Sequence, residues 1–293
     1  MSWPFDTVQI ALRAAADPTR LRLLSLCAAG EQTVGDLVDV LGQSQPRVSR
    51  HLKILCDAGL LERFRDGQYV YFRVPMAGPA HAVATALLGL VNEDDAVIDT
   101  DNGVLDRVLG ARQTDDADPL LRRFNRLVLD VFLTHPVGDL LDIGVGNGAV
   151  LKLLAGRAKS AFGVDIDLQS RREARRAVAR ASLANCSVRP GDMYALDFND
   201  ARFDTVVLDC VLLDATQPER ALTEALRVLR PGGHLLVTEY VAIGDGATAI
   251  ERLKAILADN GVRCGPVRQA TDTHGRHLVA LASPEHNDER ISA

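Results

Sequence analysis

Apolar positions recur with two different periods along the chain. Over residues 1–75 they recur every three or four residues, as on one face of a helix, and end in two short β-type runs. Over residues 119–284, short apolar runs alternate with amphipathic helical stretches, which is typical of an α/β sheet with crossover helices. Residues 76–118 read as one apolar helix and an acidic linker, and residues 285–293 as a polar tail. The pattern therefore predicts two folded domains.

The first region predicts two helices joined by a tight turn. The first of them spans residues 33–42 and stops at Gly42, and the second begins after Ser44, a residue suited to an N-cap. Val48, Leu52 and Leu55 fall on one face of that second helix and should be buried. The remaining surface carries side chains able to contact DNA bases and phosphates: Gln45, Arg47, Ser49, Arg50 and Lys53.

A predicted β-hairpin follows, with its turn at Asp66–Gly67 and with Arg63 and Arg65 on its first strand. Residues 43–73 hold six basic and three acidic side chains, a net charge of +3, which suits phosphate contacts. Helix, turn, helix and hairpin together predict a winged helix-turn-helix that binds double-stranded DNA. Two alternatives stay open: a helical protein-interaction domain with a solvated charged face, and a domain that serves only for dimerisation. The candidate DNA-binding residues are Ser44, Gln45, Arg47, Ser49, Arg50, Lys53, Arg63 and Arg65.

The net charge of the whole chain, −6, does not contradict DNA binding. Residues 76–118 alone hold two basic and nine acidic side chains, a net charge of −7, so the acidity is concentrated outside the predicted DNA-binding region. No apolar run reaches the length of a membrane span, and the first residues do not resemble a signal peptide, so we expect a cytoplasmic protein. The five scattered cysteines fit free thiols better than disulfides or a zinc site.

A glycine-rich turn follows the first buried strand of the second domain. Its sequence DIGVGNG places Gly144, Gly146 and Gly148 in a G-x-G-x-G spacing, which differs from the G-x-G-x-x-G of dinucleotide folds. S-adenosylmethionine carries a sulfonium and an α-amino group and no phosphate, so an acid beside the loop would favour it, and Asp142 stands there. The turn therefore predicts a site for S-adenosylmethionine or S-adenosylhomocysteine.

Further acidic residues follow the next strands. Asp165 lies 23 residues after Asp142, where a carboxylate can accept the ribose hydroxyls, and Ile166 beside it can pack on adenine. Asp192 with Met193 would meet the adenine amino group, and Asp209 ends the fourth strand. Ends of parallel strands meet at one edge of a doubly wound sheet, so these side chains should share a crevice. Strand-end capping is the competing interpretation, and it carries most weight for Asp209. We assign no catalytic residue and no metal site.

Both regions resemble known families. Residues 8–75, with ADPTRLRLL, SQPRVSRHLKILCDAGLL and RDGQYVYFRV, resemble the ArsR-type winged-helix regulators. That resemblance implies a homodimer, for which the helix at 80–91 is a natural contact. The set DIGVGNG, GVDID, GDM, FDTVVLD and LRPGGHLLV resembles class I methyltransferases over about 120–283, which implies a seven-stranded sheet. The chain differs from the metal-sensing members of the ArsR type in two places. Their Cys-x-Cys is absent from the corresponding segment GEQTVGDL, and the helix after the hairpin has His81 as its single candidate metal ligand.

Two functions are consistent with this fusion. In the first, the methyltransferase-fold domain binds S-adenosylmethionine or S-adenosylhomocysteine as a regulatory ligand that changes DNA binding by the winged helix. In the second, the chain is an active small-molecule methyltransferase with a fused regulatory DNA-binding domain. Methyl transfer depends chiefly on proximity and orientation, so it leaves no obligatory side-chain signature in the sequence.

Overall fold

The computed structural model describes residues 3–91, 95–110, 119–242, 244–273 and 275–284. The chain divides into two compact units. Unit 1 takes the described residues of 1–113 together with Arg175–Ser187, and unit 2 takes those of 114–174 and 188–293. The predicted polar tail, 285–293, lies outside the described residues. Within the described part of the chain, no helix is long and apolar enough to cross a membrane.

Unit 1 contains helices around a small antiparallel sheet. The sheet order is β1-β3-β2, so the hairpin strands pair along their length and β1 adds to the outer side of β3. Its apolar core includes Leu23, Leu37, Leu52 and Leu55, all without exposed surface. The elements are α1 (Phe5–Ala15), α2 (Pro18–Ala28), β1 (Gln32–Thr33), α3 (Val34–Leu41), α4 (Gln45–Asp57), β2 (Glu62–Asp66), β3 (Tyr69–Arg73), α5 (Gly78–Leu88) and α6 (Ala96–Val108).

The predicted helix-turn-helix corresponds to α3 and α4. Thr33 caps α3 through a capping box with Asp36, and Gly42 ends the helix in the left-handed conformation at φ 61°. Ser44 is the N-cap residue of α4, as predicted, although its side chain makes no capping hydrogen bond. Local sequence signals, namely the capping box and Gly42, therefore account for the start and the end of α3.

The acidic linker predicted within residues 76–118 is not extended chain over its described residues, because Ala96–Val108 form the helix α6. Asp95 caps this helix by accepting hydrogen bonds from the backbone N–H groups of Val97 and Ile98. Asp101 is buried and accepts two hydrogen bonds from Arg22 of α2, at 2.6 and 2.5 Å. This long-range pair, together with buried Leu105, outweighs the poor helix propensity of the segment.

A buried polar cluster lies beside the hairpin of unit 1. We call it the Glu31 cluster. Arg175 donates from Nε to Glu31 at 2.8 Å and from Nη1 to Asp66 at 2.6 Å, and all three side chains are about 2% exposed. The guanidinium also lies 4.3 Å from the ring centroid of Tyr71, in a cation–π contact. Asp66 is thereby fixed at the hairpin turn. The cluster consists of Glu31, Asp66, Arg73, Arg175 and Ser187.

Unit 2 is built on a sheet with the order β10-β11-β8-β7-β4-β5-β6, and short β9 pairs separately with β11. β4, β5, β7 and β8 run parallel, whereas β11 is antiparallel to β8. The helices and strands from residue 119 onward are α7 (Pro119–Val131), β4 (Gly138–Ile143), α8 (Ala149–Ala155), β5 (Ala158–Asp165), α9 (Leu168–Arg180), β6 (Cys186–Pro190), β7 (Phe203–Asp209), α10 (Pro218–Val228), β8 (Leu229–Ala242), α11 (Gly246–Asp259), β9 (Val262–Cys264), β10 (Arg268–Thr271) and β11 (Gly275–Pro284). All belong to unit 2 except the part of α9 from Arg175 and the start of β6 up to Ser187, which belong to unit 1.

This strand order locates a crevice. The chain runs from β4 to β5 on one side and returns to β7 on the other side of β4. Open α/β sheets bind ligands at such a reversal, outside the carboxyl ends of the strands. The predicted fold class, a winged helix followed by a doubly wound α/β domain, is confirmed.

Candidate functional site

The turn after β4 depends on glycine at each predicted position. Gly144, Gly146 and Gly148 have φ angles of 79°, 51° and 80°, a left-handed region that costs other residues energy. Space is restricted as well. A Cβ at Gly144 would overlap Val211 Cγ1 and lie 3.0 Å from the carbonyl oxygen of Asp209. The turn therefore lies directly against the segment that leaves β7.

Asp142 lies within β4, two residues before the turn, with no exposed surface. Neither of its carboxyl oxygens has a hydrogen-bond partner among the described residues. Burial, reinforced by the nearby charge of Asp209, raises the pKa of Asp142 well above its usual range, and a weaker interaction with the Leu151 backbone acts in the opposite direction. A buried acid without a partner is costly unless a cation or a donor supplies the missing interaction. The α-amino and sulfonium groups of an adenosyl ligand are such partners.

Asp165 connects the end of β5 to the glycine turn. Its Oδ2 accepts a hydrogen bond from the backbone N–H of Gly146 at 3.1 Å, and its Oδ1 accepts one from Asp167 at 2.8 Å. Buried Arg171 donates to the carbonyl oxygens of Asp165 and Ile166, both at 2.9 Å. These contacts fix the strand end in position. The Ile166 side chain beside it is 79% exposed, so an apolar surface is free to receive a flat base.

Asp192 and Met193 follow β6, as predicted. Asp192 is exposed, and its Oδ1 accepts a hydrogen bond from the backbone N–H of Tyr194 at 2.9 Å. The phenol oxygen of Tyr194 accepts hydrogen bonds from the backbone N–H groups of Thr216 at 3.0 Å and Gln217 at 3.3 Å. Tyr194 therefore joins the segment after β6 to the segment before α10. Sequence reasoning missed it because no local pattern marks a pairing across 22 residues.

Asp209 has a protein partner, in contrast to Asp142. Its Oδ1 accepts a hydrogen bond from the Thr238 hydroxyl at 2.5 Å, and burial raises its pKa to about 6. This contact agrees with the structural interpretation that the sequence left open for Asp209. The residue still influences the site, because its charge acts on Asp142. A role for Asp209 in direct ligand contact remains a prediction.

These residues satisfy the requirements of an adenosyl ligand that lacks phosphate. They combine an unpartnered buried acid, a turn with three left-handed glycines, a fixed carboxylate at the next strand end and an exposed apolar side chain. All belong to β4, β5 and the loops that follow them, on one side of the chain reversal at β4. The arrangement would hold the methionine part at Asp142 and the glycine turn, and the nucleoside at Asp165 and Ile166.

Helix α4 has the buried and exposed faces that the sequence predicts, and contact of the exposed face with DNA stays a prediction. Val48, Leu52 and Leu55 have no exposed surface, Ile54 packs against the same core, and the charged side chains between them are exposed. His51 lies between the two faces, with Nδ1 3.8 Å from Asp17, which favours a structural role over contact with bases. Exposed on α4 or β2 are Gln45, Arg47, Ser49, Arg50, Lys53, Arg63 and Arg65, with Ser44 at the N-cap.

The histidine that follows the hairpin has a local partner. His81 Nδ1 lies 3.0 Å from the carbonyl oxygen of Pro75, so this ring nitrogen serves a contact next to its own helix. Among the residues with described positions, no three His, Cys, Asp or Glu side chains are grouped as metal ligands would be.

Family comparisons agree with this division. Residues 17–63 match the model of the bacterial regulatory protein, arsR family, and residues 141–237 match a methyltransferase domain. Over 60 residues the chain is 38% identical to the transcriptional repressor SdpR of Bacillus subtilis, a match that covers 20% of this chain and 67% of that protein. The chain belongs to the arsR family. A methyltransferase domain is joined to its arsR-family DNA-binding domain.

The methyltransferase half has relatives of its own. Over 119 residues it is 32% identical to the demethylmenaquinone methyltransferase of Renibacterium salmoninarum, covering 41% of this chain and 48% of that protein. The chain spans about half the length of the first curated relatives that it matches. The N-methyltransferase NodS of Bradyrhizobium japonicum WM9, solved with S-adenosyl-L-homocysteine, aligns with a TM-score of 0.50 at 22% identity, covering 63% of this chain and 98% of NodS. That similarity shows the fold.

Proposed function

We propose that this arsR-family protein is a DNA-binding transcription regulator whose methyltransferase domain binds S-adenosylmethionine or S-adenosylhomocysteine as a regulatory ligand. The observation that carries the proposal is Asp142, a fully buried acid whose two oxygens lack partners in the described structure, beside a turn of three left-handed glycines. This site is joined to a DNA-binding domain that lacks the Cys-x-Cys of the ArsR-type metal sensors. Binding of the adenosyl ligand would therefore take the place of metal binding as the signal to which the regulator responds.

The DNA-binding half acts through α4 and the hairpin. Arg47 and Arg50 project from the exposed face of α4, and Arg63 and Arg65 from β2, so one domain presents four guanidinium groups for phosphate or base contacts. A homodimer would place two copies of α4 about one DNA turn apart. Exposed apolar side chains support self-association through unit 1, with Phe5 81% and Leu90 84% exposed.

Alanine at Arg47 or Arg50 is expected to weaken binding to a DNA duplex by about tenfold and to reduce the salt dependence by about one counterion for each phosphate that is no longer neutralised. Fluorescence anisotropy with a labelled duplex at several salt concentrations measures both quantities. Arg252→Ala, which removes an exposed arginine from α11, is the matched control and should leave both unchanged. DNA affinity equal to that of the unmodified protein in both α4 variants would favour the dimerisation-only interpretation.

The regulatory role is tested by measuring DNA affinity with and without ligand. A duplex recovered by selection from genomic fragments is titrated with the protein alone and with saturating S-adenosylhomocysteine. We expect the dissociation constant to change by about 5-fold or more, because coupling between two sites is typically about 1–3 kcal/mol. An unchanged dissociation constant at saturating ligand contradicts a regulatory role.

Methyl transfer is the second candidate function. The similarity of this domain to a named methyltransferase enzyme favours it. Labelled methyl transfer from S-adenosylmethionine to a metabolite extract, lost in Asp142→Ala, would support turnover. Both candidate functions use the same ligand site. Observed methyl transfer would therefore show that the domain is an active enzyme, and the effect of the ligand on DNA binding would still be measured separately.

A further inference from the structure

Glu239 is a buried acid near the end of β8 that the proposed ligand contacts do not use. Its side chain is 3% exposed, and its partner on the neighbouring strand β11 is the buried core residue Leu278. A carboxyl group in such surroundings is retained only where donors satisfy it. Its position on β8 places it beside the end of β7, where the chain leaves the sheet.

The donors come from the chain that leaves β7. Glu239 Oε1 accepts hydrogen bonds from the backbone N–H groups of Leu212 at 2.9 Å and Leu213 at 3.0 Å. Both residues are buried, so these N–H groups need a partner inside the protein. One carboxyl oxygen therefore holds two consecutive peptide groups.

The segment held by Glu239 has a strained start. Cys210 adopts a φ of 54°, a left-handed conformation that is uncommon for residues other than glycine. Such conformations persist when surrounding contacts fix them. Here the N–H of Cys210 donates to the carbonyl oxygen of Thr238 at 2.9 Å, and the two hydrogen bonds to Glu239 follow at once along the chain.

The same segment forms one wall of the glycine turn. Val211 lies so close to Gly144 that a Cβ there would overlap its Cγ1. Glu239 holds the two residues that follow Val211. The position of Val211 against Gly144 therefore depends on a carboxyl group on β8, which is two strands away from β4 in the sheet.

We propose that Glu239 is a positioning residue that fixes segment 210–213 against the glycine turn and thereby sets the affinity for the methionine part of the adenosyl ligand. This inference rests on the proposed function, since it assumes that the turn binds such a ligand. The nucleoside part would contact the ends of β5 and β6, whereas the hydrogen bonds of Glu239 go to Leu212 and Leu213. Loss of Glu239 therefore acts on one part of the ligand and leaves the other unaffected.

Glutamine is a suitable neutral replacement for Glu239. Burial raises the pKa of Glu239 to about 7, although the hydrogen bonds from Leu213 and Leu212 act in the opposite direction. A glutamine oxygen can accept the same two hydrogen bonds without a charge. Glu239→Gln therefore preserves the proposed positioning, whereas Glu239→Leu removes both acceptors at similar volume.

The test compares two probes by calorimetry on the full chain: S-adenosylhomocysteine, and adenosine, which lacks the methionine part. Glu239→Leu is expected to weaken S-adenosylhomocysteine binding by about tenfold or more and adenosine binding by less than about twofold, since two buried hydrogen bonds disappear on one side of the site only. Glu239→Gln should bind both within about threefold of the unmodified protein.

Glu239→Asp extends the test if the leucine variant does not fold. Aspartate keeps the charge and shortens the reach by one methylene, so it should also weaken S-adenosylhomocysteine binding selectively. Equal loss of both probes, or no loss of either in a folded variant, overturns the inference. Failure of the unmodified protein to bind S-adenosylhomocysteine overturns the proposed function instead, so the two failures are distinguishable.

Discussion

Replacing Arg175 by leucine is expected to lower the free energy of unfolding of unit 1 by about 3–5 kcal/mol, the range found when one partner of a buried ion pair is removed. The guanidinium donates to Glu31 and Asp66, and both acids are about 2% exposed. Leucine has a similar hydrophobic bulk but leaves two buried carboxylates without this cation. It also removes the cation–π interaction with Tyr71.

Trp3 is a suitable probe for this experiment. It is the single tryptophan of the chain and packs on the apolar core of unit 1, near Gly59. Denaturant titration followed by its fluorescence therefore reports on unit 1. Arg176→Leu, at the exposed neighbouring position, is the matched control and should change the unfolding free energy by less than about 0.5 kcal/mol.

A compensated variant separates the loss of charge pairing from the loss of volume. Combining Arg175→Leu with Glu31→Gln and Asp66→Asn removes the two acids along with their partner, and should recover part of the lost stability. Arg175→Leu with the stability of the unmodified protein would show that the Glu31 cluster does not hold the hairpin in place.

Asp142→Asn is expected to weaken the affinity for S-adenosylhomocysteine by about 100-fold or more, because a buried charge pair with the ligand amino group is lost. The same change should raise the stability of the ligand-free protein near neutral pH. The pKa of Asp142 is raised by burial, so its contribution to stability is present at low pH and is lost as the pH rises through the folded value. A neutral amide does not carry that cost.

Asp139→Asn is the control on the same strand, and it is expected to change stability in the opposite direction to Asp142→Asn. Ser160 donates to Asp139 at 2.6 Å and Arg230 at 3.1 Å, and despite burial these contacts lower the pKa of its carboxyl group. Its contribution to stability is present above the usual pKa and is lost as the pH falls, so this variant should lose stability at neutral pH and keep ligand affinity. Calorimetry and thermal unfolding measure both quantities. Equal ligand affinity in Asp142→Asn and the unmodified protein would contradict the assigned site.

The sequence predicted the elements whose signals are local. The buried stripe of Val48, Leu52 and Leu55 defined the outward face of α4, and glycine spacing defined the turn after β4. Alternating strands and helices were sufficient for the fold class. These elements can be predicted from the sequence because helix period, helix caps and left-handed glycines depend on neighbouring residues only.

Features that depend on distant pairings were not predicted. α6 forms in a segment of poor helix propensity because Asp101 pairs with Arg22, 79 residues earlier. Glu31, Glu239 and Tyr194 each carry a polar group whose partners lie at least 22 residues away. No periodicity marks these residues, and an isolated acid in a sequence is usually a surface residue.

Coupling between ligand binding and DNA binding is measured by calorimetric titration of S-adenosylhomocysteine into the protein alone and into its complex with the selected duplex. Linkage requires the ligand affinity to change by the same factor as the DNA affinity, and we predict a factor of about 5 to 150. Asp142→Asn should weaken ligand binding by about 100-fold or more in both titrations. Identical ligand dissociation constants with and without DNA would contradict a regulatory role for the adenosyl ligand.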